Sequence, residues 1–168
     1  SGVYVRNGQE RIVLSNPNHD ELEPGTILDL LEARLLIEPH LAGSAAGKVD
    51  ESQLAELQRL LGEAERRLAD SDQLLHEANM SFHRAIAGFS GNFVLAQIIE
   101  SLIELYSFEQ LAIMSFYNDR PQDHEEHLEI LSAIRDRDAV RARDLMHRHI
   151  LGVRSVVETR LVDSGFDA

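Results

Sequence analysis

The spacing of apolar residues after Thr26 constrains the fold most strongly, because it follows the period of an α-helix throughout. Short breaks separate the helical segments, and short loops between helices favour antiparallel neighbours. The sequence therefore predicts an all-α fold, an antiparallel bundle of six to seven helices. The segments that can be delimited are about Thr26–Ala46, Asp50–Leu68, Ser71–Phe89, Asn92–Tyr117, Pro121–Arg135 and Asp138–Val162.

The start of the chain has a different pattern. Gly2 to Arg6 form a short β-type segment, Asn7-Gly8 is a turn signal, and Pro24-Gly25 breaks the chain before the helices. A lone strand without partners cannot bury itself. We therefore expect residues 1–25 to be a linker cut from something larger and residues 26–168 to form the helical domain.

The composition disfavours several classes of protein. A chain of 168 residues, 43% of them hydrophobic, suits one domain with a core. The absence of cysteine removes disulfides, thiolate catalysis and cysteine zinc sites. No apolar run approaches the roughly 18 residues of a membrane span, and no signal-peptide pattern is present, so we expect a cytoplasmic protein without membrane contact. The net charge of -13 disfavours nucleic-acid binding by this chain alone.

Polar side chains lie on or beside the apolar faces of four predicted helices. Asn79 and His83 stand one turn apart on the third, while Arg34, His127 and His149 interrupt apolar stripes on the first, fifth and sixth. Burying such groups without partners costs about 1–3 kcal/mol each. Any one histidine taken alone fits a hydrogen-bonded core residue, but neutral imidazoles bind divalent metals well and pair poorly with each other. The pattern predicts a buried site for a metal ion and a small anionic ligand.

Arg34 admits two interpretations. It stands four residues before Glu38, so the two could form only a structural ion pair. Alternatively, Arg34 clamps a ligand carboxylate, the bidentate contact that a guanidinium makes best. Glu63, Arg66 and Arg67 on the second helix show similar spacing, and we interpret them as a solvated face.

Other histidines are weaker candidates. His124 lies one turn before His127 and could compete for its role, but its acidic neighbours, Asp123 among them, favour a solvated helix start. His147 lies about 200° from the apolar stripe around its helix and should face water. His76 belongs to no visible constellation, and we interpret it as a surface or packing residue.

Three segments carry a family resemblance when they are taken in order. They are Leu31-Glu32-Ala33-Arg34 through Glu38, Ser81-Phe82-His83-Arg84-Ala85-Ile86-Ala87 with Ser90-Gly91-Asn92, and His127 through Ile134 with Asp138, Ala142, Met146 and His149. Together they resemble the C-terminal effector-binding domain, of the FCD type, of GntR-family transcription regulators in the FadR subfamily. Gly2-Val3-Tyr4-Val5 looks like the last wing strand of the winged helix-turn-helix that precedes this domain in the family. The resemblance implies that residues 1–25 are a wing remnant and linker.

The resemblance also implies a FadR C-terminal-domain-like bundle in which an Asp and three His hold a divalent metal. His83, His127 and His149 match the three histidines, and Asn79 stands where the family has Asp. An amide oxygen is a neutral and weaker donor than a carboxylate, so the metal keeps more positive charge for an anionic ligand. We expect Asn79 and the three histidines to hold the metal, zinc first with nickel or manganese as alternatives. Arg34 and Asn79 would bind the ligand.

Three functions remain open. The first is the ligand-sensing domain of a transcription regulator, for which the resemblance implies a small carboxylate effector, a homodimer, no enzyme activity, and DNA binding only through the missing N-terminal domain. The second is a hydrolase or lyase in which a metal held by three histidines activates water. It is disfavoured because only Glu38 stands at a spacing suited to a general base. The third is a metal-free helical bundle that binds a ligand directly.

Overall fold

A computed structural model describes residues 24–163. Within this range the chain forms seven helices and no strand, which confirms the predicted all-α fold. The predicted wing remnant and most of the linker, residues 1–23, lie outside the described residues. The helices are α1 (Pro24–Ala46), α2 (Glu51–Arg67), α3 (Asp72–Phe89), α4 (Phe93–Leu105), α5 (Ser107–Phe116), α6 (Arg120–Arg135) and α7 (Ala139–Asp163).

Local signals account for the first two helix starts. Asp50 accepts a hydrogen bond of 2.8 Å from the backbone N–H of Gln53, and the Gln53 side chain accepts one in return from the Asp50 N–H. This capping box fixes the start of α2 next to Asp50, where the predicted segment begins. α1 begins at Pro24, before the predicted start at Thr26, because proline is tolerated in the first turn of a helix.

The predicted fourth helix, Asn92–Tyr117, is two helices in the structure. The backbone leaves the helical region at Tyr106, with φ of -110° and ψ of 30°, so α4 ends at Leu105 and α5 starts at Ser107. Neither proline nor glycine marks this position, so no local signal in the sequence indicates the break. The separate helix α5 packs against α3 and α7, and its Gln110 is buried.

α1 and α7 form the most extensive helix pair, and the main hydrophobic core includes their contact. Gly43 permits this close approach, since a Cβ there would lie 2.8 Å from the carbonyl oxygen of Ala139. α3, α5 and α6 pack against this pair, and buried polar side chains collect where they meet it. Between residues 24 and 163, no helix combines the length and the apolar character needed to cross a membrane.

Candidate metal and ligand site

Three buried histidines from three helices meet in the interior and form what we call the histidine cluster. His83 lies on α3, His127 on α6 and His149 on α7, with exposed fractions of 1%, 1% and 4%. Their ring centroids are 5.0 Å apart for His83 and His127, 4.5 Å for His127 and His149, and 5.6 Å for His83 and His149. One nitrogen from each ring lies within 4.8 Å of the other two, so the cluster could hold a metal ion.

Two rings of the cluster face each other through their nitrogens. Nε2 of His83 lies 3.0 Å from Nε2 of His127. Nδ1 of His83 contacts the carboxylate of Glu38, which only accepts hydrogen bonds, so Nδ1 carries the proton. Nε2 of a neutral His83 therefore presents a lone pair to the cluster, which is the form of imidazole that binds metals.

A carboxylate lies beside Nδ1 of every ring in the histidine cluster. The pairs are Glu38 with His83, Glu126 with His149 at 2.8 Å, and Asp123 with His127 at 3.6 Å. Histidines that bind metals commonly donate a hydrogen bond from Nδ1 to such a partner, because it fixes the tautomer and orientation of the ring and leaves Nε2 for the metal. His83 and His149 make this contact, whereas Nδ1 of His127 has no hydrogen-bond partner among the residues that the structure describes. Sequence reasoning did not identify Asp123 or Glu126 as site residues.

Asn79 contributes a buried oxygen that lacks a partner. Its Nδ2 donates a hydrogen bond of 2.7 Å to Oδ2 of Asp123. Its Oδ1 has no hydrogen-bond partner in the part of the chain that the structure describes. Asn79 lines the same cavity as the histidine cluster. Since buried polar atoms are nearly always paired, this free oxygen fits a ligand atom for a cation.

Arg34 and Glu38 form a buried ion pair that continues into the cluster. Nε of Arg34 donates to Glu38 at 2.6 Å, and Nη1 donates to Oε1 of Gln110 at 3.2 Å. A guanidinium has more N–H donors than these contacts use, so part of the Arg34 fork stays available. Nε2 of Gln110 is buried and without a partner among residues 24–163. Arg34 is thus a member of a structural ion pair and still has donors for an anion. Nε2 of Gln110 is a second donor beside it.

Burial and charge together set the protonation states of this interior. Burial holds the pKa of His83 and of His127 below the usual histidine value, so both rings are neutral in the metal-free protein. Burial would raise the pKa of Glu38, but Arg34 and His83 outweigh it and hold that pKa well below the usual value. The site therefore combines neutral imidazoles with a carboxylate that remains charged.

A cavity that is partly open to solvent lies against these groups. Its lining includes the histidine cluster, Arg34, Asn79 and Gln110. Arg120 also lines it, but its donors bind carbonyl oxygens of the loop between α2 and α3 and the Asp72 carboxylate. Arg34 is therefore the better placed guanidinium for an anion in the cavity.

The family model described as the FCD domain matches residues 29–152, a range that contains every residue of the site. The chain belongs to the FCD domain family. The HTH-type transcriptional repressor NanR of Edwardsiella tarda is 27% identical over 180 residues, which cover 98% of this chain and 68% of NanR. The Uxu operon regulator of Haemophilus influenzae is 30% identical over 160 residues, which cover 92% of this chain and 58% of that regulator.

Solved structures share the fold of this FCD domain. Streptococcus agalactiae GntR is 29% identical, with a TM-score of 0.68 over 80% of this chain and 61% of that chain. The metal-free FCD domain of TM0439 is 18% identical, with a TM-score of 0.63 over 86% of this chain and 99% of that chain. Together with the sequence relatives, these matches show that the chain is the FCD domain of a GntR-family transcription regulator.

The start of α6 in this FCD domain differs from the sequence interpretation. His124 was expected at a solvated helix start, yet it is only 8% exposed, and Asp123 beside it is buried as well. The acidic run is amphipathic, because Asp123 faces the interior whereas Glu125 is exposed. His76 lines the cavity, and burial lowers its pKa to about 4. His147 is exposed, as predicted.

Proposed function

We propose that this FCD domain is the ligand-sensing part of a DNA-binding transcription regulator and binds a small organic acid at a buried divalent-metal site. The metal ligands are His83, His127 and His149, with Oδ1 of Asn79 as an oxygen ligand. One observation carries the proposal. Two of the three buried imidazoles, His83 and His149, hydrogen-bond a carboxylate through Nδ1, the arrangement that leaves Nε2 of a ring for a metal, and the third, His127, lies with Nε2 3.0 Å from Nε2 of His83.

Zinc suits this set of ligands best. Three imidazole nitrogens and one oxygen match the ligand types that zinc prefers, and nickel and manganese are the alternatives. The bound ion supplies a Lewis acid to which an oxygen of the effector can coordinate. Because Asn79 and the three histidines are all uncharged as direct ligands, the site favours an anionic effector as a further ligand.

The effector is a small carboxylate held between the metal and α1. Arg34 offers the free part of its guanidinium, which recognises carboxylates with directional hydrogen bonds. Nε2 of Gln110 offers a further donor from α5. Oδ1 of Asn79 lies in the same cavity, where it can bind the metal or accept a hydrogen bond from the effector.

DNA contact belongs to a winged helix-turn-helix outside the helical bundle. The net charge of -13 makes this chain itself a poor partner for phosphate backbones. The regulator acts as a cytoplasmic homodimer, and the effector favours one arrangement of the two protomers over another. α1 and α7 transmit the change, since Arg34 and His149 lie on these helices.

We assign no catalytic activity to the site. The carboxylates of Glu38, Asp123 and Glu126 all lie beside Nδ1 atoms of the histidine cluster. In that position they orient the rings, and they are not placed to accept a proton from a water on the opposite, Nε2 side. The relatives NanR and the Uxu operon regulator are regulators, in keeping with a sensing role.

Calorimetric titration of a panel of small carboxylates, such as lactate, pyruvate and glycolate, tests the proposal. The protein is titrated once after loading with Zn²⁺ and once in EDTA. We expect at least one acid to bind only the zinc-loaded protein, and Arg34→Ala to abolish that binding. Arg66→Ala removes an exposed arginine of α2 and serves as the matched control. Binding that is equal with and without metal, or that survives Arg34→Ala, would contradict the proposal.

A further inference from the structure

We infer that Asp123 is a positioning residue that orients Asn79 toward the metal and supplies the negative charge that Asn79 lacks. The inference rests on the proposed metal site. Asn79 stands on α3 and Asp123 on α6. One helix therefore supplies the metal ligand and the other supplies the residue that orients it. Neither residue alone provides both a correctly directed oxygen and a negative charge.

The hydrogen bond between the two side chains fixes the direction of the Asn79 amide. Nδ2 of Asn79 donates to Oδ2 of Asp123 at 2.7 Å, in a buried contact. A carboxylate only accepts, so the nitrogen end of the amide must face Asp123 and the oxygen end must face away. This leaves Oδ1 as the unpartnered atom. Without Asp123, nothing in this contact would distinguish the two ends of the amide.

The same hydrogen bond strengthens Oδ1 as a ligand. An amide whose N–H donates to a carboxylate is polarised, and its oxygen gains negative charge. Partners beyond the ligands raise the basicity of the ligands in this way in many metal sites. The charge of Asp123 therefore reaches the metal through the amide of Asn79.

The position of Asp123 argues against direct metal binding by its carboxylate. Its oxygens lie 3.6 Å from Nδ1 of His127 and 4.0 Å from Nδ1 of His149. The facing Nε2 atoms of His83 and His127 lie on the other side of the His127 ring. Asp123 thus stands behind the rings, on the side where a carboxylate orients a ligand.

A double-mutant cycle on metal affinity tests this role. Zinc binding is measured by competition with a chelator for the wild type, Asp123→Asn, Asn79→Ala and the double variant. We expect Asp123→Asn to weaken zinc binding about 10–100-fold. If Asp123 acts through Asn79, its substitution should cost several-fold less once Asn79 is alanine, since the residue it positions is gone. Additive losses would show that Asp123 acts independently and would overturn the inference.

A carboxylate exchange gives a second readout that a merely structural role would not move. In Asn79→Asp/Asp123→Asn, the amide introduced at position 123 can donate to the carboxylate introduced at position 79. We expect zinc affinity and the visible spectrum of the Co²⁺-loaded protein to recover from the changes caused by Asp123→Asn. An exchange variant that folds but binds zinc no better than Asp123→Asn would overturn the inference.

Glu125→Gln is the matched control, because it removes one carboxylate from an exposed position of the same helix. It should leave zinc affinity unchanged, which separates the effect of Asp123 from a general loss of negative charge. If Asp123→Asn binds zinc as the wild type does, this inference fails and the proposed metal site stands. If the wild type binds no divalent metal at all, the proposed function fails and the inference falls with it.

Discussion

Two ion pairs with the same contact distance lie on α1 and α2, and they have different consequences. Arg34 and Glu38 are 2.6 Å apart, with side chains 5% and 3% exposed. Arg66 and Glu63 are also 2.6 Å apart, with side chains 64% and 33% exposed. The contact distance is therefore a poor guide to the role of a charged pair. The surroundings decide it, because only the α1 pair is enclosed by other helices.

Burial turns the α1 pair into part of the site. An exposed pair contributes only about 0.2–1 kcal/mol, since water and salt screen it and mobile side chains must be ordered. A buried pair must be satisfied by further hydrogen bonds. Glu38 meets this need through His83 and Arg34 through Gln110, so the ion pair orients one metal ligand and one candidate effector ligand.

Replacing the glutamate of each pair by alanine should give the largest difference in the free energy of unfolding between the two pairs. Glu38→Ala leaves the Arg34 charge buried without its partner, which costs about 3–5 kcal/mol of the free energy of unfolding. Glu63→Ala should cost less than about 1 kcal/mol. Urea unfolding of both variants in EDTA measures the difference without a contribution from metal. Similar losses for the two variants would show that burial does not separate the pairs.

Replacing the arginines by lysine should give a smaller contrast. Arg34→Lys keeps the positive charge, but an ammonium cannot reach Glu38 and Gln110 together in the geometry of a fork. We expect a loss of about 1–3 kcal/mol from the polar group left unpaired. Arg66→Lys should change stability by no more than about 0.5 kcal/mol. The same unfolding series measures both, and an equal response would remove the structural reason for an arginine at position 34.

Mild acid should weaken the interior before it affects α2. Burial lowers the pKa of His76, His83 and His127 from 6.5. Below this value the unfolded chain binds more protons than the folded chain, so stability falls as the pH drops from 6.5 towards 4. Burial raises the pKa of Asp123, so this group makes the fold more stable as the pH falls. It is one group, whereas three histidines act in the other direction.

The α2 pair loses its contribution only in stronger acid. Hydrogen bonds from Arg66 and Arg67 lower the pKa of Glu63 from 4.5, so protonation of Glu63 starts to destabilise the fold below that value. Unfolding of the metal-free protein, followed from neutral pH to about 5, therefore reports mainly on the interior histidines. A free energy of unfolding that stays constant over this range would contradict neutral, buried rings.

Helical periodicity was sufficient to predict most of the fold. The apolar stripes and the breaks between them located α2, α3, α6 and α7 to within a few residues. The break at Tyr106 was missed because the apolar pattern continues through it and neither glycine nor proline marks it. The break depends on how α5 packs against other helices, and local patterns in a single sequence do not indicate such packing.

The sequence identified the candidate ligands better than their partners. His83, His127 and His149 interrupt apolar stripes, and a polar residue in such a stripe stands out. Asp123 was assigned to a solvated run of acids, although it stands four residues before His127 and therefore shares its face of the helix. The same helical spacing could have placed it in the interior. Helical spacing could not have placed Glu126 at the site, because its contact with His149 depends on how α6 packs against α7.

The central claim is that the histidine cluster holds a divalent metal, and metal analysis of the purified protein tests it most directly. After equilibration with zinc and removal of the excess, we expect about one zinc ion per chain in the wild type, because the cluster forms a single set of ligands. His127→Ala and His149→Ala should each lose the ion, whereas His147→Ala, on an exposed face of α7, should keep it. An unchanged metal content in the His127 and His149 variants, or a wild type that retains no metal, would contradict the account.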